Sequence, residues 1–369
     1  MINDIMMKTT PAVFAVGRTY QIMVPANFPA LMWVEVGGKT YCDEVNGILR
    51  SDVDVHRMTV PAELLDKCGK YTVVYRKIIE RKPYFTESEE PIRTEFDFYP
   101  VPKDNARAYH IADSHNMVNH PAAAYDTYER HGGRADFLIL NGDVPVDSGK
   151  PENFDTIYRI AEAVTHGNVP VVYTRGNHDL RGLYAVSGAD YTPSDCGRTY
   201  YTFRLGDIWG IILDCAEDKD DSDPEYGNTV LCHDFRLRQT QFIRDVIADC
   251  KNEYLADGVE HRMIVVHVPF ASDQGEEKFN IESDIYREWA ALLKENVQPD
   301  IMLCGHWHKL IVSEPGGKYD QLGQPCTLVV GSKIEYGKYF AGAGLEFAKN
   351  RIGITFTDSN GDILGEHNI

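Results

Sequence analysis

Residues 137–143 read FLILNGD, an apolar run that ends in a glycine and an aspartate. A short continuous apolar run is typical of a strand that is buried on both faces. Such strands form the parallel sheets of α/β proteins, in which helices cover the sheet. The stretch therefore predicts a buried strand in an α/β layered core, with Asp143 at the point where that strand ends.

Four further apolar runs between residues 108 and 308 also end in polar residues. Segments with helical spacing of apolar residues, such as FDTIYRIAEAV (residues 154–164), separate the runs. In open α/β sheets, ligands bind at the carboxyl ends of the strands, so we expect the polar side chains to meet at one edge. The side chains that follow the four runs are Asp113 and His115, Asn177, His267, and His306 and His308.

Together with Asp143, these side chains form a set that is typical of a metal centre. Burying so many polar groups without a partner would be costly, and a bound metal removes that cost. Carboxylates, imidazoles and one amide oxygen, without a thiolate, suit hard or borderline divalent ions. Seven side chains are too many for one tetrahedral ion, but they suit two ions that share a carboxylate and lie about 3.5–4 Å apart.

The order of these motifs resembles the calcineurin-like metallophosphoesterase superfamily, in its bacterial-type group. The motifs are Asp-x-His, Gly-Asp, Gly-Asn-His-Asp, His and Gly-His-x-His, and they run from residue 113 to residue 308. The resemblance implies two divalent metal ions, which Mn, Fe, Zn, Mg or Ni would satisfy. It assigns Asp143 to both ions. It assigns Asp113, His115 and His308 to the first ion, and Asn177, His267 and His306 to the second.

The resemblance also implies a reaction, the hydrolysis of small phosphomonoesters or phosphodiesters by a metal-activated water or hydroxide. His178 would be the general acid or the hydrogen-bond donor to the leaving group. Asp179 would orient His178. For Arg175 two interpretations stay open, a bidentate contact with the substrate phosphate and an ion pair with a nearby acid.

Departures from two related groups narrow the expected function. Purple acid phosphatases also carry an N-terminal β-sandwich, but they have Gly where His115 stands and a metal-bound Tyr shortly after the bridging Asp. This chain continues GDVPVD from Gly142, without that Tyr. Protein Ser/Thr phosphatases carry Arg-Gly-Asn-His-Glu, whereas Asp179 stands at the Glu position here, and Asp147 lies one place later than their Gly-Asp-x-x-Asp motif requires. These differences argue against both groups.

The first hundred residues have a different pattern, which predicts an all-β sandwich. Short runs rich in β-branched and aromatic residues alternate with turn signals, among them VGGK at residues 36–39. Residues 59–76 resemble the later strands of a fibronectin type III or immunoglobulin-like module. The prolines of YPVPKDNAR then suggest a linker. We therefore expect a β-sandwich domain at residues 1–103 and a metallophosphoesterase catalytic domain at residues 104–369.

The composition excludes some partners. The formal net charge of −19 argues against a polymeric nucleic-acid or anionic-membrane binder, because those need a basic surface. No apolar stretch is long enough to span a bilayer, and we expect no signal peptide, so a cytoplasmic protein with scattered reduced cysteines is the default. A small phosphorylated substrate is the expected partner, and the oligomeric state stays open.

Two alternative functions stay open, and the roles of two arginines and of one acidic run are also predicted. The chain could be a ligand- or protein-binding scaffold with little turnover, or a hydrolase of another bond, but the complete set of candidate ligands favours the phosphoesterase. Arg181 and Arg198 are interpreted as surface charges. The acidic run CAEDKDDSDPEYGN (residues 215–228) predicts a solvated loop, and its place near the catalytic edge would also suit a lid.

Overall fold

The computed structural model of the protein describes residues 6–369, and the first five residues of the predicted N-terminal domain lie outside the described residues. Between residues 6 and 103 the structure has ten strands and one helix: β1 (Ala12–Val16), β2 (Thr19–Pro25), β3 (Ala30–Val36), β4 (Lys39–Cys42), β5 (Glu44–Val45), β6 (Ile48–Leu49), β7 (Val55–Pro61), α1 (Ala62–Cys68), β8 (Lys70–Arg81), β9 (Thr86–Ser88) and β10 (Ile92–Asp97).

The rest of the described chain alternates strands and helices before it returns to strands. These elements are β11 (Ala106–Ile111), α2 (Asn119–Gly132), β12 (Phe137–Asn141), α3 (Asp155–Thr165), β13 (Pro170–Thr174), α4 (Gly188–Tyr191), β14 (Tyr201–Leu205), β15 (Ile208–Leu213), α5 (Cys232–Ala248), β16 (His261–Val266), α6 (Ser283–Leu292), β17 (Ile301–Cys304), β18 (Lys309–Ser313), β19 (Thr327–Glu335), β20 (Tyr339–Ala348), β21 (Arg351–Asp358) and β22 (Ile363–Asn368).

One large mixed sheet of 15 strands runs through the molecule, with the main order β14-β15-β16-β17-β19-β20-β11-β12-β13-β1-β2-β7. Two groups of strands are parallel: β11, β12, β13 and β1 form one, and β15, β16, β17 and β19 form the other. The antiparallel strand β20 joins the two groups.

The two halves of this sheet face each other across a shared core. Phe137 and Ile139 of β12 belong to the same hydrophobic cluster as Met263 and Val265 of β16. The alternate residues of β12 pack with α2 and α3, and the alternate residues of β16 pack with α5 and α6. Successive side chains of a strand point to opposite faces, so both faces of each half are buried. The predicted α/β layered core with helices on the outside is confirmed.

The N-terminal strands form a sandwich on one end of this core. A five-stranded antiparallel sheet, β10-β8-β3-β4 with β9 on β8, packs its apolar face against β2 and β7. The VGGK turn joins β3 and β4, and Gly37 and Gly38 both have positive φ, which that hairpin turn requires. The predicted N-terminal sandwich is therefore confirmed as part of the fold.

The second layer of the sandwich is shared with the large sheet. β1 pairs in parallel with β13 through Val13–Pro170 and Phe14–Val171, and it pairs antiparallel with β2. The side-chain amide of Gln21 also exchanges hydrogen bonds with the backbone of Ser194, at 2.7 and 3.2 Å. The domain boundary after residue 103 stays a prediction. The backbone hydrogen bonds between β1 and β13 join the two sides of that boundary in one sheet. Among residues 6–369, no helix is both long and apolar enough to cross a membrane.

Candidate metal centre

The seven predicted ligands meet at one edge of the large sheet. Each follows the carboxyl end of a buried parallel strand: β11, β12 and β13 in one half of the sheet, and β16 and β17 in the other. The candidate ligands are Asp113, His115, Asp143, Asn177, His267, His306 and His308. The facing arrangement of the two halves brings the five strand ends together, because the carboxyl ends of both parallel groups lie at the same edge.

One cluster consists of Asp113, His115 and His308. Their ligand atoms all lie within 4.8 Å of one another. The Nε2 atoms of His115 and His308 are 3.3 Å apart, and His308 Nε2 is 3.4 Å from Asp113 Oδ1. This is the set that the resemblance assigns to the first ion.

A second cluster consists of Asp143, His267 and His306, again within 4.8 Å. His267 Nε2 lies 3.2 Å from Asp143 Oδ2 and 3.6 Å from Asp113 Oδ1. Asn177 joins this cluster, since its Oδ1 is 3.1 Å from His306 Nδ1. These residues are the set that the resemblance assigns to the second ion, and His267 lies between the two aspartates.

The backbone at the candidate ligands is unusual. Asp113, His115, Asp143, His306 and His308 all have φ between 43° and 68°, in the left-handed region that residues other than glycine rarely adopt. Such conformations cost energy and persist where the surrounding structure holds them, most often at functional sites. Here the loops hold one another: Asp113 N donates to Gly142 O and His115 N donates to Asp143 O, each at 3.0 Å.

The glycines of the motifs allow this close approach. A Cβ on Gly142 would lie 2.5 Å from His267 Nδ1, and a Cβ on Gly305 would lie 2.8 Å from Asp113 Oδ2. A Cβ on Gly176 would lie 2.5 Å from Asp143 N. Distances under 3.0 Å are essentially never seen for real Cβ atoms, so only glycine fits at these three places.

Burial and neighbouring charges shift the pKa values of the side chains in this cluster. Burial alone would raise the pKa of Asp113 and Asp143, but the neighbouring histidines, His267 first, hold both below the usual range. Burial alone would lower the pKa of His267, whereas Asp143 and Asp113 raise it to about 10. For His115 and His306 burial prevails and lowers the pKa to about 4. Perturbations of opposite sign among groups in contact are common at functional sites.

These residues fit two divalent cations. The buried Nδ1 of His115 and Nε2 of His267 have no hydrogen-bond partner among the described residues. His267 Nδ1 donates to Asn141 O at 2.7 Å, so Nε2 is the nitrogen that faces the two carboxylates. A metal cation between them would take the place of the Nε2 proton and balance both negative charges. The donors are therefore nitrogen and oxygen atoms, which are the ligands that hard or borderline metal ions take.

His178 borders the clusters, and its ring is half-buried. Its Nδ1 donates to Val146 O at 2.9 Å, because a carbonyl oxygen can only accept. Its Nε2 therefore points towards the centre, 4.0 Å from Asp143 Oδ2. His178 also lies within 4.8 Å of ligand atoms of His115 and Asp143, so distance alone would allow it to bind a metal.

The structure places Asp179 differently from the expectation. Its Oδ2 accepts from Asp143 N at 3.0 Å and from Gly176 N at 2.8 Å, and its Oδ1 accepts from Tyr173 OH at 2.8 Å. The carboxylate thus holds the backbone of the two neighbouring loops, and the carbonyl of Val146 holds the His178 ring instead. Burial, and then the charge of Asp143, raise the pKa of Asp179 to about 6.

Of the two interpretations of Arg175, the structure contains the ion pair. Arg175 Nε donates to Asp214 Oδ2 at 2.8 Å, and its guanidinium lies 5.4 Å from the centre of the Phe235 ring. A contact of Arg175 with substrate stays a prediction. The interpretation of Arg181 as a surface charge is wrong, because Arg181 is half-buried and its Nη1 lies 3.3 Å from His178 Nε2. Arg198, by contrast, is exposed and pairs with Asp195.

Sequence reasoning missed two further neighbours of the centre. Ser332, on β19, donates its hydroxyl proton to Asp113 Oδ2. Tyr336, in the turn between β19 and β20, is 59% exposed, and its ring centre lies 5.2 Å from that of His115 and 6.1 Å from that of His308. Neither residue belongs to one of the five motifs. For Tyr336, the one sequence feature that could have indicated its place near the centre is its position at the tip of a hairpin.

Comparison with known proteins identifies the class. A family model described as calcineurin-like phosphoesterase matches residues 106–310, and the chain belongs to this family. The match begins at β11 and includes every candidate ligand, from Asp113 to His308.

Particular relatives are more distant. The chain is 21% identical over 207 residues to the serine/threonine-protein phosphatase CPPED1 of Pongo abelii, and 20% identical over 206 residues to that of Mus musculus. These alignments cover 54% of this chain and 60% of the relatives, so the chain spans about three fifths of their length. The purple acid phosphatase PPD1 from yellow lupin seeds shares the fold over 98% of this chain and 73% of its own, with 12% identity and a TM-score of 0.61.

Proposed function

We propose that the protein is a dinuclear-metal phosphoesterase that hydrolyses small phosphomonoesters or phosphodiesters. The convergence of seven ligand side chains from five strand ends carries the proposal. Five of them have left-handed backbone, and two buried imidazole nitrogens have no partner among the described residues. A family that hydrolyses phosphoesters supports the reaction class.

In this proposal Asp113, His115 and His308 hold one divalent ion, and Asn177, His267 and His306 hold the other. Asp143 contacts both sets, since it lies between His267 and the loop of His115. When bound, the two ions neutralise the negative phosphoryl oxygens and provide an activated water as the nucleophile. Asn141 and Ser332 orient ligands, because their contacts fix the His267 ring and the Asp113 carboxylate.

His178 serves the leaving group. The oxygen of a water molecule forms the new bond to phosphorus and the water loses one proton to the solvent, while the ester P–O bond breaks. The departing oxygen takes a proton from Nε2 of protonated His178. Val146 keeps Nε2 turned towards the centre, and Asp179 keeps the loops of Asp143 and Gly176 together. Asp179 is then a positioning residue for Asp143 rather than for His178.

Metal analysis and turnover together test the proposal. The purified protein is loaded with Mn²⁺ or Zn²⁺, its metal content is measured, and hydrolysis of p-nitrophenyl phosphate and bis(p-nitrophenyl) phosphate is followed. Asp143→Asn should lose metal and activity. His178→Ala should keep the metal and lower kcat by about 10²–10⁴-fold. Activity that survives Asp143→Asn would contradict the proposal, and metal binding without any turnover would favour the scaffold alternative.

A further substrate is included in this experiment because of the name of the two mammalian relatives. A phosphoserine peptide is assayed beside the aryl phosphates, since those relatives are named protein phosphatases. Faster hydrolysis of the peptide than of the aryl monoester would replace the small substrate with a phosphoprotein, while the roles of the metal ligands would stay the same.

A further inference from the structure

Arg181 brings a positive charge to the opening of the candidate metal centre. Its Nη1 lies 3.3 Å from His178 Nε2, and that nitrogen lies 4.0 Å from Asp143 Oδ2. Val146 fixes the proton of a neutral His178 on Nδ1, so in that form Nε2 accepts from Arg181. In the protonated ring that the proposed leaving-group role requires, Nε2 carries its own proton and Arg181 Nη1 is released for another acceptor. The guanidinium therefore lies on the same side of the centre as His178, the residue proposed to protonate the leaving group.

A buried carboxylate fixes the orientation of this arginine. Arg181 Nε donates to Glu217 Oε1 and Nη2 donates to Glu217 Oε2, each at 2.9 Å. The Glu217 side chain is 1% exposed and also accepts from Tyr226 OH at 3.2 Å. This bidentate pair uses one edge of the guanidinium and leaves Nη1 directed at the centre.

The loop that carries Glu217 is itself anchored. Arg236, which is 1% exposed, donates through Nε to Cys215 O at 2.9 Å and through Nη2 to Glu217 O. Its Nη1 donates to Glu282 Oε1 at 3.2 Å. The start of the acidic run is thus a rigid support for Arg181, whereas the sequence predicted a solvated loop over its whole length. Burial alone would lower the pKa of Arg181, but Glu217 raises it above its ordinary value, so the guanidinium stays charged.

We propose that Arg181, held by Glu217, binds a non-bridging phosphoryl oxygen and makes the enzyme selective for phosphomonoesters. This inference rests on the proposed phosphoesterase function and narrows its substrate class. A monoester dianion has three non-bridging oxygens, so one would remain for Arg181 if the other two faced bound metal ions. In a diester, one of those positions carries a second ester group, which cannot accept the same charge-assisted hydrogen bond. Glu217 is a positioning residue in this scheme.

The test compares the two ester classes in matched variants. Metal-loaded wild type, Arg181→Met and Arg181→Lys are assayed with p-nitrophenyl phosphate and bis(p-nitrophenyl) phosphate. Arg198→Met is the control, because Arg198 is an exposed arginine paired with Asp195. Arg181→Met should lower the monoester kcat/KM by about 10- to 100-fold, mainly through KM, and change the diester value by less than about threefold. Arg181→Lys should recover part of the monoester activity.

Two further measurements separate this role from a structural one. Calorimetric titration of metal-loaded protein with inorganic phosphate should show an affinity lower by about the same factor in Arg181→Met, with unchanged metal content. Glu217→Gln, which keeps one acceptor, should raise the monoester KM and leave kcat within about threefold.

The outcomes are distinguishable. An equal loss for monoester and diester, or an unchanged phosphate affinity, would overturn the role of Arg181. If the wild type hydrolyses neither ester, the phosphoesterase proposal fails on its own, and the phosphate titration still decides whether Arg181 binds a phosphoryl group.

Discussion

Gly176 passes so close to Asp143 that a methyl group in its place has no room. A Cβ on Gly176 would lie 2.5 Å from Asp143 N and closer still to Oδ1, whereas ordinary contact begins at 3.4 Å. Gly176 is outside the left-handed region, so alanine suits its backbone and the effect of a substitution is steric. Gly176→Ala must therefore displace either the loop or the Asp143 carboxylate by roughly 1 Å.

We expect Gly176→Ala to weaken metal binding more than it destabilises the fold. Metal–ligand distances tolerate about 0.2 Å, and a shift of roughly 1 Å removes Asp143 from any cation that the other ligands hold. We expect the affinity for Mn²⁺ or Zn²⁺ to fall by at least about 100-fold, beyond the usual effect of removing a group that only orients a ligand. Crowding of a packed site should also destabilise the metal-free protein by about 1–3 kcal/mol.

Gly188→Ala is the matched control. A Cβ on Gly188 meets nothing within 4 Å, and its φ of −51° is helical. This variant should bind metal like the wild type and change stability by less than about 1 kcal/mol. Metal affinity is measured by calorimetry, and unfolding free energies are measured in urea with a chelator, so a folding defect is separated from a loss of metal. Wild-type metal affinity in Gly176→Ala would refute the reasoning.

Three other changes test the surroundings of the centre. Tyr173→Phe removes the donor to Asp179 Oδ1 and should destabilise the protein by about 1–3 kcal/mol in urea unfolding; a smaller change would mean that water replaces the hydroxyl. Arg236→Met removes the side-chain donor to the Cys215 and Glu217 carbonyls and one of the two donors to Glu282, the other being His233. It should lower the unfolding free energy by about 3–5 kcal/mol and speed proteolysis at residues 215–228, and an unchanged digest would argue against the anchor. Removing metal with a chelator should lower the melting temperature, since a ligand of the folded state stabilises it; an equal melting temperature would speak against metal bound at this site.

The sequence predicted the layered core and the position of the candidate ligands for a simple physical reason. Buried strands are continuous apolar runs, and the residues after them are where polar groups can collect. FLILNGD and the four other apolar runs each contain both features, an apolar strand and polar residues directly after it. The division of the ligands between two ions follows from the resemblance and stays a prediction, and His267 Nε2 lies 3.6 Å from Asp113 Oδ1, across that division.

The remaining features depend on contacts between distant parts of the chain. Nothing near Arg181 in the sequence indicates that Glu217 lies beside it, so an arginine in a polar loop looked exposed. The bonds of Asp179 to Asp143 and Tyr173 depend on how two loops approach each other. The pairing of β1 with β13 joins residues more than 150 positions apart, and strand order over such distances leaves no local pattern.

The shared sheet limits how this protein can be divided. β13 leads into the loop of Gly176 and Asn177, and β1 covers its outer edge. A fragment that starts after residue 103 would leave that edge open, and unpaired edges promote pairing with other chains. Residues 104–369 therefore cannot be separated from the N-terminal strands without exposing this edge. Any shortened version for crystallisation or engineering should retain β1, β2 and β7 together with the large sheet.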